Sequence, residues 1–324
     1  MSDPRATLLA RAGWTEAAAA PLAGDASARS YLRLARPNGA TAVLMQAPVM
    51  TEAERESLAA VTRVNGHLAA LGLSAPATLA EDMANGLLLQ EDFGDVTLAR
   101  LLASGAREAR AAYAAAAQVL DRLATARLPD WAAQPDTQEQ VAMLAPTLDA
   151  LPADPSLAEL PAYMAEALTR HAAGPPVLAL RDYHADNLTW LPARDGPARI
   201  GLLDVQDAVA LPLGYDLASL LDDPRRDVPE GIRTTLTTRF AATHGLTEEQ
   251  ATARLATLSL LRNLRILGIF RRLATTGGKP RYAAFLPRTG RLIDRAAAHP
   301  ALSPLQAPVA RLRALSAHWG EVAA

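Results

Sequence analysis

Hydrophobic and polar residues follow two different periods along the first hundred positions. Residues 29–36, RSYLRLAR, and 40–46, ATAVLMQ, carry apolar side chains at strand-like spacing on either side of a Pro-Asn-Gly turn centred on Asn38 and Gly39. Glycine there supplies the positive φ that a tight hairpin needs, so the pattern predicts two paired strands. Residues 51–71 switch to a helical period, with Thr51 at the cap, Glu52, Glu54 and Glu56 in the first turns, and Gly72 after the end. Acidic groups there favour the positive end of the helix dipole. Residues 4–12 predict a short amphipathic helix before the strands, and residues 87–89 a buried strand that leaves through the turn EDFGD. The first lobe expected from this pattern is small and strand-rich, residues 1–92.

Beyond it the pattern is mostly helical. Residues 97–128 and 157–173 are rich in Ala and Leu and read as helices, while the Pro- and Asp-rich stretch 129–155 between them reads as a surface loop. Two apolar runs, 176–180 and 198–205, predict short neighbouring strands that each end on polar residues. From about residue 215 onward the chain returns to helix, and no repeat is present at periods of 20 to 50 residues. Residues 93–324 therefore form a second, mainly helical lobe.

Composition narrows the chemistry. At 324 residues, half hydrophobic and a fifth charged, the chain can bury a large core. It has no long apolar run and no basic-then-apolar leader, and it reads as a cytoplasmic protein without a membrane partner. It has no cysteine, so any metal must be held by oxygen or imidazole. A net charge of -2 offers no general field for nucleic acid. Of the 32 basic residues only Lys279 is a lysine.

The chemistry concentrates in RDYHADN, residues 181–187, directly after the first apolar run. If the two short strands are neighbours, Asp182, Asn187 and Asp204 come to one edge as oxygen donors. Such a set suits Mg²⁺, which takes one or two carboxylates together with substrate phosphates. Asp182, five residues before Asn187, is placed to accept a proton from an attacking hydroxyl. Alone, Asp182 and Asn187 would equally suit a cap or an Asx-turn. Asp204 and Asp216 downstream favour the base-and-metal reading.

RDYHADN, followed by LLDVQDA (202–208) and GYDLASLL (214–221), resembles the aminoglycoside phosphotransferase and choline kinase family, relatives of protein kinases. The resemblance implies an α+β, bilobal protein-kinase-like fold with ATP between the lobes. It makes Asp182 the catalytic base, Asn187 and Asp204 the Mg²⁺ ligands, and Asp216 and His184 structural braces of the loop. AGDASARSYLRL (23–34) is similar to the family's phosphate-covering turn, and LLLQEDFGD (87–95) to its hinge. Gly24, Asp25, Ser27, Arg29, Arg33 and Glu91 become the nucleotide-side candidates. GDAS, MQAP and RNLRILGIFRRL are most similar to the anomeric amino-sugar kinases, which phosphorylate the 1-hydroxyl of N-acetylmuramate and N-acetylglucosamine in cell-wall recycling.

Two departures stand out. The family's third-strand lysine aligns with Met45, and the sole lysine lies far downstream, so Arg29 or Arg33 is the expected substitute on the phosphates. Glu56 loses its usual lysine partner. The histidine usual two residues before the base is Leu180.

Residues 262–296 hold nine basic residues against the single acid Asp294, a local charge of +8. Arg262, Arg265 and Arg272 fall on one side of a helix that is otherwise Leu, Ile and Phe. Ion pairs with residues 216–227 would account for the charge equally well. If the segment is instead a site, it repels polycations and accepts a carboxylate such as the lactyl group of N-acetylmuramate. Arg181, Asp207, Arg262 and Arg265 are the candidate sugar-side contacts. Two alternatives stay open: a kinase of another small alcohol (an aminoglycoside, choline or a homoserine-like compound), and a nucleotide-binding module without catalysis. Oligomeric state is left open.

Overall fold

The computed structural model describes residues 3–22 and 29–320. In chain order its helices and strands are α1 (Pro4–Arg11), β1 (Ala18–Leu22), β2 (Ser30–Ala35), β3 (Thr41–Gln46), α2 (Glu52–Ala70), β4 (Thr78–Asp82), β5 (Leu87–Glu91), α3 (Leu98–Ala103), α4 (Glu108–Thr125), α5 (Thr137–Ala142), α6 (Ala145–Leu148), α7 (Leu160–His171), β6 (Val177–Ala179), β7 (Leu188–Trp190), β8 (Ile200–Leu202), β9 (Val209–Leu211), α8 (Tyr215–Leu221), α9 (Glu230–Thr243), α10 (Glu248–Thr275), α11 (Leu286–Ala297) and α12 (Ser303–Ser316). Contacts group these into two compact units, residues 1–119 with 185–208 and residues 120–184 with 209–324. A single cut near residue 92 does not separate them, because the chain returns to the first unit at 185–208.

The first unit is built on an antiparallel sheet in the order β1-β2-β3-β5-β4. Alternation decides what each face buries. Met45, opposite Tyr31 on β2 and Leu88 on β5, packs against Leu58 and Val61 of α2. Leu34, Leu44 and Leu89 turn the other way onto Leu8 of α1 and Trp14. Each fully buried Leu stabilises the fold by about 1.5–3 kcal/mol. The expected hairpin is present, with Gly39 at φ 85° and its N–H bonded to Arg36 O at 2.9 Å. Helix α2 starts at a complete capping box, in which Thr51 accepts from Glu54 N and Glu54 accepts from Thr51 N.

The second unit packs around α10, 28 residues long and capped by Thr247 and Gln250. Leu258, Leu260, Leu261, Leu264 and Leu267 are all buried, so the helix is apolar on most sides, as befits a core helix. Residues 129–155 do not form the expected surface loop. They hold α5 and α6, and Val141, Leu144 and Thr147 are buried. Thr147 Oγ1 accepts from Gly268 N at 2.7 Å and donates to Leu264 O. Only glycine allows this approach, since a Cβ on Gly268 would stand 2.1 Å from Pro146 O.

Two further expectations are corrected. Residues 97–128 form two helices, α3 and α4, broken at Ser104 and Gly105. The apolar runs 176–180 and 198–205 do not pair with each other. Strand β6 pairs with β9 and β7 with β8, because each finds an antiparallel partner in a short strand next to the polar loops. No helix among the described residues is long and apolar enough to cross a membrane.

Candidate active site

In the first unit, the register of β7 and β8 sets Leu188 opposite Leu202, and Leu203 N donates to Asn187 O at 3.0 Å. Asn187 and Asp204 thus leave the same end of one hairpin. The hairpin is anchored by Trp190 N to Val96 O (2.7 Å), Leu202 N to Ser74 O (2.8 Å) and Ala99 N to Ala185 O (3.0 Å). Asp204 has a φ of 58° and is exposed, and its Oδ1 accepts from Gln206 Nε2 at 2.9 Å. A non-glycine residue in the left-handed region costs about 1–3 kcal/mol and persists only where its surroundings impose it. A carboxylate and an amide oxygen at one hairpin end are hard donors that fit Mg²⁺.

Tyr31 on β2 belongs to the same surroundings. Burial raises its phenol pKa; Arg29 opposes that shift and the charge of Asp204 adds to it. Arg29 donates from Nη2 to Ser57 Oγ at 2.8 Å and to Ser57 O at 3.2 Å, which ties it to α2. Arg33 is engaged elsewhere. Its Nε and Nη2 meet Asp92 at 2.7 and 3.0 Å, and its Nη1 meets Asp95 at 2.7 Å. The Asp95 hydrogen bond is the chief reason that the Arg33 pKa is raised. Met45 lies in the core between sheet and α2, so no cation stands at the third-strand position. Glu56 pairs with Arg63 at 2.8 Å, and the Glu91 carboxylate is bonded by Arg194. Gly24, Asp25 and Ser27 lie outside the described residues.

In the second unit, Asp182 follows β6 on a loop that is clamped from α8. The buried Asp216 accepts from Leu180 N at 2.6 Å and from Arg181 N at 3.0 Å, one bond to each carboxylate oxygen. Arg181 has a φ of 67°. Among the described residues only Arg181 and Asp204 combine a side chain with positive φ, and both fall in the motif segments read from the sequence. Burial raises the Asp216 pKa to about 7, against the two backbone hydrogen bonds and the charge of Arg262.

His184 is buried and held neutral, with its pKa lowered to about 4 by burial first and by Arg225 second. Burial pushes the neighbouring Asp223 upward, yet Arg225, His184 once protonated, Arg262 and Arg226 outweigh that and hold it at about 2. Arg225 Nη1 meets Asp223 at 3.0 Å and Arg226 Nε meets it at 3.3 Å.

The basic segment divides between pairing and burial. Arg288 bonds Asp227 at 3.0 Å, Arg295 bonds Asp222, and Arg271 lies 4.7 Å over the Trp319 ring. Residues 216–227 thus neutralise two of its charges. Arg262, Arg265 and Arg272 are buried, half-buried and exposed in turn, so they do not share one environment. Arg262 is 3% exposed and lies inside the unit. Asp207 is exposed. Sequence reasoning passed over Tyr31, although strand alternation sets it two residues from both Arg29 and Arg33, and over Asp223, which two arginines in DDPRRD already marked.

Comparison with known proteins adds three findings. The profile described as the phosphotransferase enzyme family matches residues 18–258. The N-acetylmuramate/N-acetylglucosamine kinase of Caulobacter vibrioides is 38% identical, with 94% of this chain and 94% of that protein covered. Two solved structures have the same fold at low identity. A choline/ethanolamine kinase family protein of Mesorhizobium loti aligns with a TM-score of 0.63 and 15% identity, over 95% of this chain and 96% of that one. An aminoglycoside phosphotransferase of Streptomyces rimosus, in complex with ADP and streptomycin, aligns with a TM-score of 0.51 and 20% identity, over 80% of this chain and 99% of that one.

Proposed function

Because the chain belongs to the phosphotransferase enzyme family, with its protein-kinase-like α+β fold, we propose that it transfers the γ-phosphoryl group of ATP to the anomeric hydroxyl of N-acetylmuramate or N-acetylglucosamine. A role in cell-wall recycling goes with that substrate pair. The observation that carries the catalytic part is the Asp216 clamp on the left-handed turn before Asp182. A strained backbone bonded by both oxygens of a buried carboxylate is a device for fixing the next side chain, and the next side chain is a carboxylate able to act as base.

In this reading Asp182 accepts the hydroxyl proton and orients the attacking oxygen. Asn187 and Asp204 hold Mg²⁺. When bound, the metal neutralises charge on the phosphate oxygens. Arg29, tied to Ser57 and next to Tyr31, supports the phosphates in place of the absent lysine, since Arg33 already serves Asp92 and Asp95. The internal pairing of Arg288 and Arg295 weakens the charge argument against cationic acceptors, so kanamycin is retained as a comparison. The test is carbon and phosphorus NMR of the product. Phosphate on C1 of the amino sugar, absent with Asp182→Asn, fits the proposal; phosphate on any other oxygen contradicts it.

A further inference from the structure

Arg262 was singled out by its place on an apolar helix, yet in the structure it is 3% exposed and its Nη1 has no hydrogen-bond partner. A buried donor left without a partner costs about 1–3 kcal/mol. A guanidinium retained under that cost acts through its charge rather than through bonds of that nitrogen. The charge has an addressee. Helix α10 packs against α8, and next to Arg262 the Asn263 side chain donates to Asp222 O at 3.4 Å, at the end of α8. From this position the Arg262 charge acts on Asp216, on Asp223 and on His184, all of them buried.

We propose that Arg262 is a positioning residue: its charge, acting through the Asp216 carboxylate, holds the Leu180–Arg181 backbone and thereby sets Asp182. The inference rests on the reading of Asp182 as the base. The clamp uses both oxygens of Asp216, one for each N–H. A proton on either oxygen converts one acceptor into a hydroxyl and releases part of a turn that is already in the left-handed region. The main groups that bear on Asp216 come from three elements. The 180–183 loop presents two N–H donors, the Asp182 carboxylate, which favours protonation, and the neutral Tyr183 phenol. Helix α8 adds neutral Tyr215, on which Arg181 and Arg265 also act, and α10 supplies Arg262 as the cation that acts on Asp216 itself. Without that cation, burial and Asp182 act against the two backbone bonds with less charge to oppose them.

The test is the pH profile of kcat for the wild type, Arg262→Met and Arg262→Lys, together with amide hydrogen exchange of Leu180 and Arg181. A nearby opposite charge lowers a carboxylate pKa by about one unit or more. The acid limb of Arg262→Met is therefore expected to move up by at least about one pH unit, while Arg262→Lys stays within about half a unit of the wild type. Exchange protection of the two amides, corrected for intrinsic rates, should fall about tenfold between pH 8.5 and 6 in the wild type. In Arg262→Met the same fall should begin at higher pH. An acid limb that Arg262→Met leaves in place overturns the inference. So does wild-type protection that stays level across the range, a measurement available even if the methionine variant does not fold. Amide protection that follows the prediction while Asp182→Asn retains its rate would uphold the Arg262–Asp216 link and remove only the base assignment.

Discussion

Replacing His184 by glutamine should change how stability depends on pH, and in a direction opposite to ordinary intuition about losing a buried histidine. In the unfolded chain His184 titrates near 6.5, and in the folded chain near 4, because burial and Arg225 disfavour the imidazolium. Below pH 6.5 the unfolded state takes up a proton that the folded state refuses, so the neutral ring stabilises the fold at neutral pH and progressively less on acidification. One pKa unit corresponds to about 1.4 kcal/mol. Between pH 7.5 and 4.5 the wild type therefore loses about 2–3 kcal/mol through this residue. Asp216 works the other way. Its folded pKa of about 7 lies above its ordinary value of 3.8, so acidification over the same interval adds stability and opposes the His184 contribution.

Glutamine cannot titrate. The variant should be less stable than the wild type at pH 7.5, through lost packing, and should recover about 2–3 kcal/mol relative to the wild type by pH 4.5. Urea unfolding followed by far-UV circular dichroism at the two pH values measures the difference, in which the other groups largely subtract out. An equal gap at pH 7.5 and 4.5 would refute the reasoning, since it would mean that His184 titrates alike in both states.

Three other changes follow from the same geometry. Gly268→Ala forces a Cβ against Pro146 O and should destabilise the second unit by about 2–3 kcal/mol, read as a lower urea midpoint; an unchanged midpoint would mean that α6 is not seated there. Arg29→Ala should raise the KM for ATP at least about tenfold, the loss expected of a charge-assisted contact, whereas Arg33→Ala should change it less than about threefold. The reverse order would reassign the phosphate contact to Arg33. Asp204→Asn should raise the Mg²⁺ concentration needed for half-maximal rate at least about tenfold, and an unchanged metal requirement would remove Asp204 from the ligand set.

How much of this was legible in sequence depended on how local each feature is. Helix α2 was readable because Thr51, Glu54 and Gly72 mark its ends within the helix itself, and the β2–β3 hairpin because Asn38 and Gly39 sit in the turn. Strands β7 and β9 are three residues each, and their pairing is a tertiary choice that a short apolar run does not specify. Residues 129–155 looked like loop because Pro and Asp hide three buried positions, Val141, Leu144 and Thr147, and Thr147 finds its partner on a helix more than a hundred residues later. Asp182, Asn187, Asp204 and Asp216 stood out as a motif, yet the positive φ of Arg181 and Asp204 left no trace in residue type. Arg262 carried a signal, a cation on an apolar helix, but its burial beside Asp216 and Asp223 could be read only from the fold.

The most direct measurement is ADP release with MgATP and, in turn, N-acetylmuramate, N-acetylglucosamine, glucose and kanamycin, with Asp182→Asn as the blank. Turnover on the N-acetyl sugars that disappears in the variant is the predicted result. Turnover confined to kanamycin, or an amino-sugar rate that Asp182→Asn leaves intact, would contradict the account.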